Sequence, residues 1–167
     1  MAARIDLRAP EATDARAFIA AAAASKGLHR SWVAPPLTPA QFSSWRKRMA
    51  QPTHCALLAC RRDSGEMVGV FNISNMVMGP FRSAFLGYYA FAGHEGQGLM
   101  AEGLRAVVRH AFKSLKLHRL EANIQPGNAA SIALVKRCGF ALEGYSPRYL
   151  KIAGRWRDHE RWAVVAD

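Results

Sequence analysis

The sequence predicts an α+β domain built on a mostly antiparallel sheet of about six to seven strands, with one parallel pair and helices on both faces. Short alternating segments between residues 55 and 91 indicate an antiparallel meander, and apolar residues at helical spacing precede and follow it. A strand, a glycine loop, a helix and another strand then follow in order over 84–124, which implies a parallel pair. The length of 167 residues, half of them hydrophobic, suits a single domain over 1–167.

The N-terminal elements are a strand, a helix, a loop and a second helix. Polar and apolar residues alternate over Arg4–Arg8, as in a half-buried strand. The alanine-rich segment Ala15–Ala24 predicts a helix that stops at Lys26-Gly27. Leu28–Pro39 contains three prolines and predicts an irregular loop, which leads into a short helix over Ala40–Met49.

The central segment predicts three consecutive antiparallel strands, over Cys55–Cys60, Met67–Ile73 and Ala84–Phe91. Gly93–Gly98 interrupts this pattern. The residues that follow repeat at the spacing of an amphipathic helix of four or five turns. Its apolar positions are Met100, Leu104, Val107, Val108, Ala111, Phe112 and Leu115.

The C-terminal segment completes the sheet. Arg119–Ile124 predicts the strand that runs parallel to its predecessor, and Asn128 is placed to cap a helix over Ala129–Cys138. Phe140–Tyr145 and Arg157–Val165 then predict two last strands joined by a turn that contains a glycine.

The most unusual property of the composition is the charge. The formal net charge is +11, from 23 lysines and arginines against 12 acidic residues. Such a chain attracts something anionic, whether nucleic acid, an acidic surface or a polyphosphate cofactor. The three cysteines form no C-x-x-C pair and the six histidines are scattered, so we expect no metal. Without an export signal or a long apolar run, we expect a cytoplasmic protein that does not span a membrane.

The loop Gly96-Gln97-Gly98 is the strongest local motif. Glycines let the backbone approach a ligand, and the helix start presents unpaired N–H groups, so a diphosphate is a natural occupant. Two alternatives stay open from the residues alone. The glycines also fit a tight turn without a ligand, and Gly96-x-Gly98-x-x-Ala101 fits a dinucleotide fingerprint, with Glu121 as a candidate ribose-binding acid. The preceding antiparallel segment argues against the dinucleotide fold.

Three segments together resemble the GNAT superfamily, and within it the RimJ/RimL-type N-acetyltransferases that modify the N-termini of ribosomal proteins. The first runs from Leu86-Gly87-Tyr88-Tyr89 to Gly96-Gln97-Gly98-Leu99-Met100-Ala101-Glu102. The second runs from Arg119-Leu120-Glu121-Ala122-Asn123 through Pro126-Gly127-Asn128-Ala129-Ala130-Ser131 to Cys138-Gly139-Phe140. The third combines Glu143-Gly144-Tyr145, Tyr149-Leu150, Gly154-x-Trp156 and Asp158-His159, and is most like the RimJ branch.

The resemblance implies acetyl-CoA as the cosubstrate and no metal. It implies that backbone amides near Tyr89, Ala90 and Phe91 hold the pantetheine arm. Asn128 and Ser131 would contact the cofactor as well. The amides that would hold the pyrophosphate belong to Gly96, Gln97, Gly98, Leu99 and Met100. The chain departs from the family loop at Gly93, which stands where a glutamine or arginine is usual, so the seat depends on the backbone.

The resemblance also implies the chemistry and its residues. The amine attacks the thioester directly, and Ser131 serves the leaving thiolate, because Val135 stands where many members carry a tyrosine acid. The alternative for Ser131 is a hydroxyl that only supports the helix cap. Glu102 and Glu121 are base candidates by charge alone. The residues expected to line the acceptor channel are His29, Trp32, Tyr89 and Tyr149.

The expected function is therefore acetylation of a protein N-terminal α-amine, with a ribosomal protein as the first substrate to test. One alternative is a small amine or an antibiotic as acceptor, because one fold serves many substrates. An alternative of another class is a nucleic-acid-binding or ribosome-binding module, suggested by Arg46-Lys47-Arg48 and Arg61-Arg62. No RNA-binding aromatic motif accompanies these clusters, so we expect no specific nucleic-acid partner. The resemblance also makes a homodimer possible.

Overall fold

Residues 2–167 are described by a computed structural model and form one seven-stranded sheet with the strand order β1-β2-β3-β4-β5-β7-β6. Neighbouring strands are antiparallel except for β4 and β5. The strands are β1 Ile5–Arg8, β2 Cys55–Arg61, β3 Met67–Val77, β4 Ser83–Ala90, β5 Arg119–Ile124, β6 Ala141–Ile152 and β7 Arg155–Val165. The α+β fold with one parallel pair is confirmed.

Helices cover both faces of this sheet. They are α1 Ala15–Ala24, α2 Lys26–His29, α3 Pro39–Met49, α4 Leu99–Lys113 and α5 Ala129–Arg137. A single turn of 3-10 helix over Ala12–Asp14 precedes α1. Within the described residues, every helix is too short or too polar to cross a bilayer.

Strand β2 shows how the sequence places a core on each face. Its buried side chains alternate between the two sides, as the pleat requires. Leu57 and Ala59 pack in the core that includes α4, whereas Ala56 and Leu58 pack in the core that includes α1 and α3. The sheet is therefore a central layer between two helical layers.

The parallel pair opens a wedge in the sheet. Strands β4 and β5 pair where Ser83, Ala84 and Phe85 face Arg119, Leu120 and Glu121. Beyond these positions no pairing is recorded within residues 2–167, although β4 continues to Ala90 and β5 to Ile124. The strands must therefore diverge toward their C-terminal ends, which leaves space between layers for a ligand.

The predicted boundaries were wrong in the two longest hairpins. Strand β3 continues past Ile73 to Val77, and β6 continues past Tyr145 to Ile152. The sequence favours an early end in β6 because of Pro147, which cannot donate to a ladder. The structure accommodates this proline because β6 is the edge strand and its register shifts between Ser146 and Leu150.

The predicted helix over Ala15–Ala24 is confirmed, but Lys26-Gly27, which was expected to stop it, begins a further helical turn. After a break at Ser25 the chain forms the one-turn helix α2, in which Leu28 N and His29 N both donate to Ser25 O. This turn ends at Arg30, whose φ of 45° departs from helical geometry. The extra turn brings His29 into the interior of the molecule.

Candidate active site

A cavity of about 440 Å³ lies at the wedge between β4 and β5, next to the starts of α4 and α5. Most of the residues predicted for cofactor binding line it, and so do three of the four predicted for the acceptor, because Tyr89 belongs to both sets. They are Tyr89, Ala90, Gly96, Gly98, Leu99, Met100, Asn128 and Ser131, with His29 and Trp32. The candidate site is thus built from distant parts of the chain that the splayed strands bring together.

The glycine loop presents a run of free backbone donors to this cavity. Gly96 and Gly98 have φ values of 70° and 74°, in the left-handed region that glycine adopts without strain. The first amide of α4 with a backbone partner is Glu102 N, which donates to Gly98 O at 3.1 Å. Across the part of the chain that the structure describes, the amides of Gly96–Ala101 donate no hydrogen bond. Such a helix start is an anion seat.

Positively charged side chains surround the loop. Arg137 lines the cavity. Arg4 donates to Gln97 O at 3.2 Å, and Arg61 donates to Gln97 Oε1 at 3.4 Å. Gln97 therefore fixes the loop from outside and does not line the cavity. These cations add to the positive end of the helix dipole, so the seat favours a polyanion.

A pair of hydroxyl groups lies on the opposite wall. Ser131 stands in the first turn of α5, where its amide donates to the capping Asn128 Oδ1 at 3.3 Å. A hydrogen bond of 2.6 Å joins Tyr88 Oη and Ser131 Oγ. Burial raises the pKa of Tyr88, so this phenol stays protonated and can donate. The structure thus supplies a hydroxyl partner for Ser131 inside the cavity.

Tyr88 was missed from the sequence, although strand alternation contains the signal. Ala84 and Leu86 belong to the core on the α4 side of the sheet, and Tyr88 is the next residue of β4 with the same parity. The Gly96–Gly98 loop and α4 lie on that side. The neighbouring Tyr89 instead packs with the core on the α1 and α3 side.

His29 forms a wall with Tyr89 behind the cavity. The imidazole is 5% exposed, and its Nε2 lies 2.7 Å from Ala90 O. Because a carbonyl only accepts, Nε2 carries the proton and donates. The ring of Tyr89 lies 5.2 Å from that of His29, centroid to centroid. In the described structure the buried Tyr89 hydroxyl has no hydrogen-bond partner.

A second groove of about 760 Å³ lies on the other side of this wall. His29 and Val33 line both spaces. The groove is formed by α2, the proline-rich loop and α3, and its charged lining residues are Lys26, Arg30 and Arg48. No aspartate or glutamate is found among the described residues that line it. The two spaces therefore differ in construction and meet at His29.

Three predicted residues lie outside both spaces. Gln97 supports the loop as described above. Phe91 is a core residue, 1% exposed, and its amide already donates to Val68 O at 2.7 Å. The Phe91 amide is therefore not free to donate to a ligand. Tyr149 lies on β6, where its ring packs 6.3 Å from His159.

The two carboxylates that were candidates for the general base because of their charge are engaged in structural contacts. Glu102 accepts from Ile5 N at 3.1 Å and from Arg4 Nε at 3.0 Å, which joins α4 to the edge strand β1. Glu121 pairs with Arg119 at 3.2 Å. Neither lines the cavity. Among residues 2–167, no group of three or more His, Cys, Asp or Glu side chains is arranged to hold a metal.

Comparison with known proteins identifies the family. The family described as acetyltransferase (GNAT) domain matches residues 4–141. This chain belongs to the GNAT acetyltransferase family. Among solved structures, the RimJ protein of Mycobacterium smegmatis in complex with CoA-disulfide superposes with a TM-score of 0.88 at 28% identity, covering 97% of this chain and 82% of that one. The expected family is therefore confirmed.

Two curated relatives of the chain act on different amines. The uS5-alanine N-acetyltransferase of Escherichia coli is 44% identical over 103 residues, which are 62% of this chain and 53% of that protein. The L-methionine sulfoximine and L-methionine sulfone acetyltransferase of Pseudomonas aeruginosa is 31% identical over 132 residues, 76% of this chain and 74% of that protein. The chain spans about half the length of the first relatives that it matches.

Proposed function

We propose that this GNAT domain transfers the acetyl group of acetyl-CoA to a protein N-terminal α-amine. The observation that carries the proposal is the meeting of two spaces at His29. One space presents free amides and a hydroxyl pair, and the other is a groove open to an acceptor. The 44% identity to an N-terminal alanine acetyltransferase supports this choice of acceptor.

The residues present fit acetyl-CoA. The free amides of Gly96–Ala101 match the several oxygens of a diphosphate, and Arg137 adds positive charge at the same end of the cavity. The side-chain oxygen of Asn128 is taken by Ser131 N, which leaves its NH₂ group to donate to an amide chain. The seat forms from the backbone, so it tolerates the glycine at position 93.

Acetyl-CoA supplies an acetyl group already activated as a thioester, so no covalent enzyme intermediate is needed. As the carbon–sulfur bond breaks, Ser131 Oγ donates its proton to the departing sulfur and regains the proton that the newly acylated nitrogen releases. Tyr88 Oη donates a hydrogen bond that holds the Ser131 hydroxyl in position. The acceptor amine reaches the acetyl carbon past the wall of His29 and Tyr89. Trp32 closes the end of the cavity against Gly127, where an added Cβ would lie 3.2 Å from the indole ring.

An α-amine suits this site, because the carboxylate that lines the cavity, Glu95, accepts a hydrogen bond from Gly93 N of its own loop at 2.7 Å. A free α-amino group has a pKa of about 7.7 to 8.0, against about 10.4 for lysine, so roughly a tenth of it is neutral near pH 7, compared with well under a hundredth of a lysine amine. A strong protein base is then less necessary. The second candidate is a free amino acid with an α-amine, which the relative that acetylates L-methionine sulfoximine favours.

Ligand binding provides the first test. Acetyl-CoA at 100 times its dissociation constant raises the free energy of unfolding by about 2.7 kcal/mol, because it binds the native state alone. We expect a rise in melting temperature with acetyl-CoA and none with NAD or an RNA oligomer. A rise with RNA and none with acetyl-CoA would establish the nucleic-acid-binding alternative instead.

The acceptor is identified by a second experiment. The chain is incubated with labelled acetyl-CoA and a ribosomal extract, and the acetylated proteins are mapped by mass spectrometry. We expect labelled N-termini, and kcat/KM that rises with pH, bends near the α-amine pKa at about pH 8 and levels off above about pH 9, where the α-amine is mostly neutral. A rise that continues toward about pH 10 indicates a lysine-like amine and contradicts the α-amine proposal.

A further inference from the structure

The acceptor groove carries positive charge that the protein itself does not neutralise. Lys26, Arg30 and Arg48 line the groove, and all three are exposed. Among the described residues, five arginines outside the groove pair with carboxylates, including Arg8 with Asp14 and Arg119 with Glu143. Within the described chain no salt bridge reaches the three groove cations. Their fields therefore add within the groove.

Arg30 occupies a backbone position that favours glycine. Trp32 N donates to His29 O at 2.9 Å and closes a tight turn, in which Arg30 has φ 45° and ψ −127°. A side chain at positive φ strains the backbone, and this region of φ and ψ is occupied mainly by glycine. Glycine would form the same turn without strain. What arginine adds at this position is a cationic side chain on the rim of the groove.

Arg48 brings the positive charge to the wall between the two spaces. It follows Trp45 by three residues on α3, so both lie on the helix face that lines the groove. Burial raises the pKa of Tyr89, and the positive charge of Arg48 acts in the opposite direction on that phenol. The charge of Arg48 is therefore felt at a residue that lines the cofactor cavity.

We infer that the acceptor carries a carboxylate close to its reactive amine, and that Lys26, Arg30 and Arg48 bind that carboxylate. This inference rests on the proposed transfer to an amine and specifies its substrate class. A cationic amine enters a positive groove against repulsion, whereas a nearby carboxylate reverses the sign of the interaction. Arginine binds carboxylates through paired N–H donors, which also orients the bound molecule. The carboxylate belongs either to an acidic residue near a protein N-terminus or to a free amino acid.

The inference is tested first with a matched set of acceptors. Three peptides of equal length begin with alanine and carry two glutamates, two glutamines or two lysines at the next positions. We expect the KM of the glutamate peptide to be about tenfold below that of the glutamine peptide and the lysine peptide to be weakest. Free alanine and alaninamide form a second pair, which distinguishes an α-carboxylate from an acidic side chain as the group recognised.

Variants then show which side chains cause the preference for the glutamate peptide. In Arg48→Gln and in Arg30→Gly we expect the preference for glutamate over glutamine peptide to fall about fivefold or more. Arg30→Gly also relieves the strained turn, so its melting temperature should not fall and misfolding cannot explain the loss. Lys47→Gln is the matched control, because Lys47 neighbours Arg48 on α3 and makes the same charge change outside the groove. We expect its preference to equal that of the wild type.

A binding measurement separates this inference from the proposed reaction. Calorimetry with the same peptides and CoA present reports binding without turnover. Glutamate-peptide binding that Arg48→Gln weakens supports the inference even where no acetyl transfer occurs, and then the proposed reaction alone fails. Equal KM values and equal binding for the three peptides overturn the inference. If acetyl transfer is nevertheless observed, the proposed reaction is still supported. An equal loss in Lys47→Gln also overturns it, because net charge then explains the preference.

Discussion

The two spaces that meet at His29 are built by different means. The cofactor cavity presents backbone amides from a loop whose glycines take φ values that other residues avoid. The acceptor groove presents long, exposed side chains, Lys26, Arg30 and Arg48, from short helices and a proline-rich loop. The donors of the cavity depend on backbone conformation, whereas the charge of the groove depends on particular side chains.

This difference explains how one fold serves many acceptors. A seat made of backbone amides survives any side-chain change that keeps the glycine conformations, so it stays the same while substrates differ. A groove made of side chains changes its charge with one substitution and leaves the sheet untouched. Two positions illustrate this: the glycine at position 93 leaves the backbone seat in place, whereas the arginine at position 30 adds a cation to the groove.

The largest effect is expected for Ser131→Ala. Loss of a general acid lowers turnover by about a hundredfold or more, whereas the cofactor is held mainly by the loop amides. We expect kcat to fall while the dissociation constant of acetyl-CoA stays within about twofold, measured by steady-state kinetics and calorimetry. Ser114→Ala, at the exposed end of α4, is the control. Unchanged turnover would limit Ser131 to supporting the helix start.

The next effect concerns the backbone seat and compares two glycines with the same φ of 74°, Gly98 in the loop and Gly65 in the turn between β2 and β3. Alanine in the left-handed region costs about 1 to 2 kcal/mol at either position. We expect both Gly98→Ala and Gly65→Ala to lower stability by that amount in denaturant unfolding. Only Gly98→Ala should weaken acetyl-CoA binding, by about tenfold, because relaxation of this turn misdirects the amides.

Equal acetyl-CoA affinity in the two glycine variants would contradict a seat built from the Gly96–Ala101 amides. In that case Arg137 and the other cations near the loop would carry the binding. The added Cβ at Gly98 would contact no atom closer than 3.8 Å, and the Cβ at Gly65 would contact nothing within 4 Å. Steric clash within the protein is therefore excluded as the cause of a loss of stability in either variant.

The same contrast decides what could be predicted from the sequence. Glycine spacing and the helix that follows predict the cofactor loop, because backbone conformation is encoded locally. The groove is not encoded locally. Lys26 and Arg48 come from different helices, and their convergence depends on the extra turn α2, which the glycine at position 27 obscures. The alternation of side chains along β4 could have placed Tyr88 on the same face as the loop. Its contact with Ser131 could not be predicted in this way, because it depends on how α5 packs.

A smaller effect is expected for Tyr88→Phe, which keeps the ring and removes the hydroxyl that bonds Ser131. We expect kcat to fall about threefold to tenfold, less than in Ser131→Ala, because the proton donor remains but is less well positioned. Loss of one buried hydrogen bond costs about 1 kcal/mol of stability. The double variant with Ser131→Ala checks the assignment. If the two act as one unit, Tyr88→Phe adds no further loss of kcat in that background.

The smallest effect is expected for Tyr89→Phe, the adjacent residue on the other face of β4. Its hydroxyl is buried without a partner in the described structure, so its removal should change the free energy of unfolding by less than about 0.5 kcal/mol or raise it. Because this hydroxyl lies at the wall between the two spaces, we expect the acceptor KM to rise while acetyl-CoA affinity is retained. A loss of acetyl-CoA affinity equal to that of Gly98→Ala would mean that the wall belongs to the cofactor cavity alone. In that case Tyr89 and His29 would both belong to the cofactor cavity, whereas Lys26, Arg30 and Arg48 would belong to the acceptor groove.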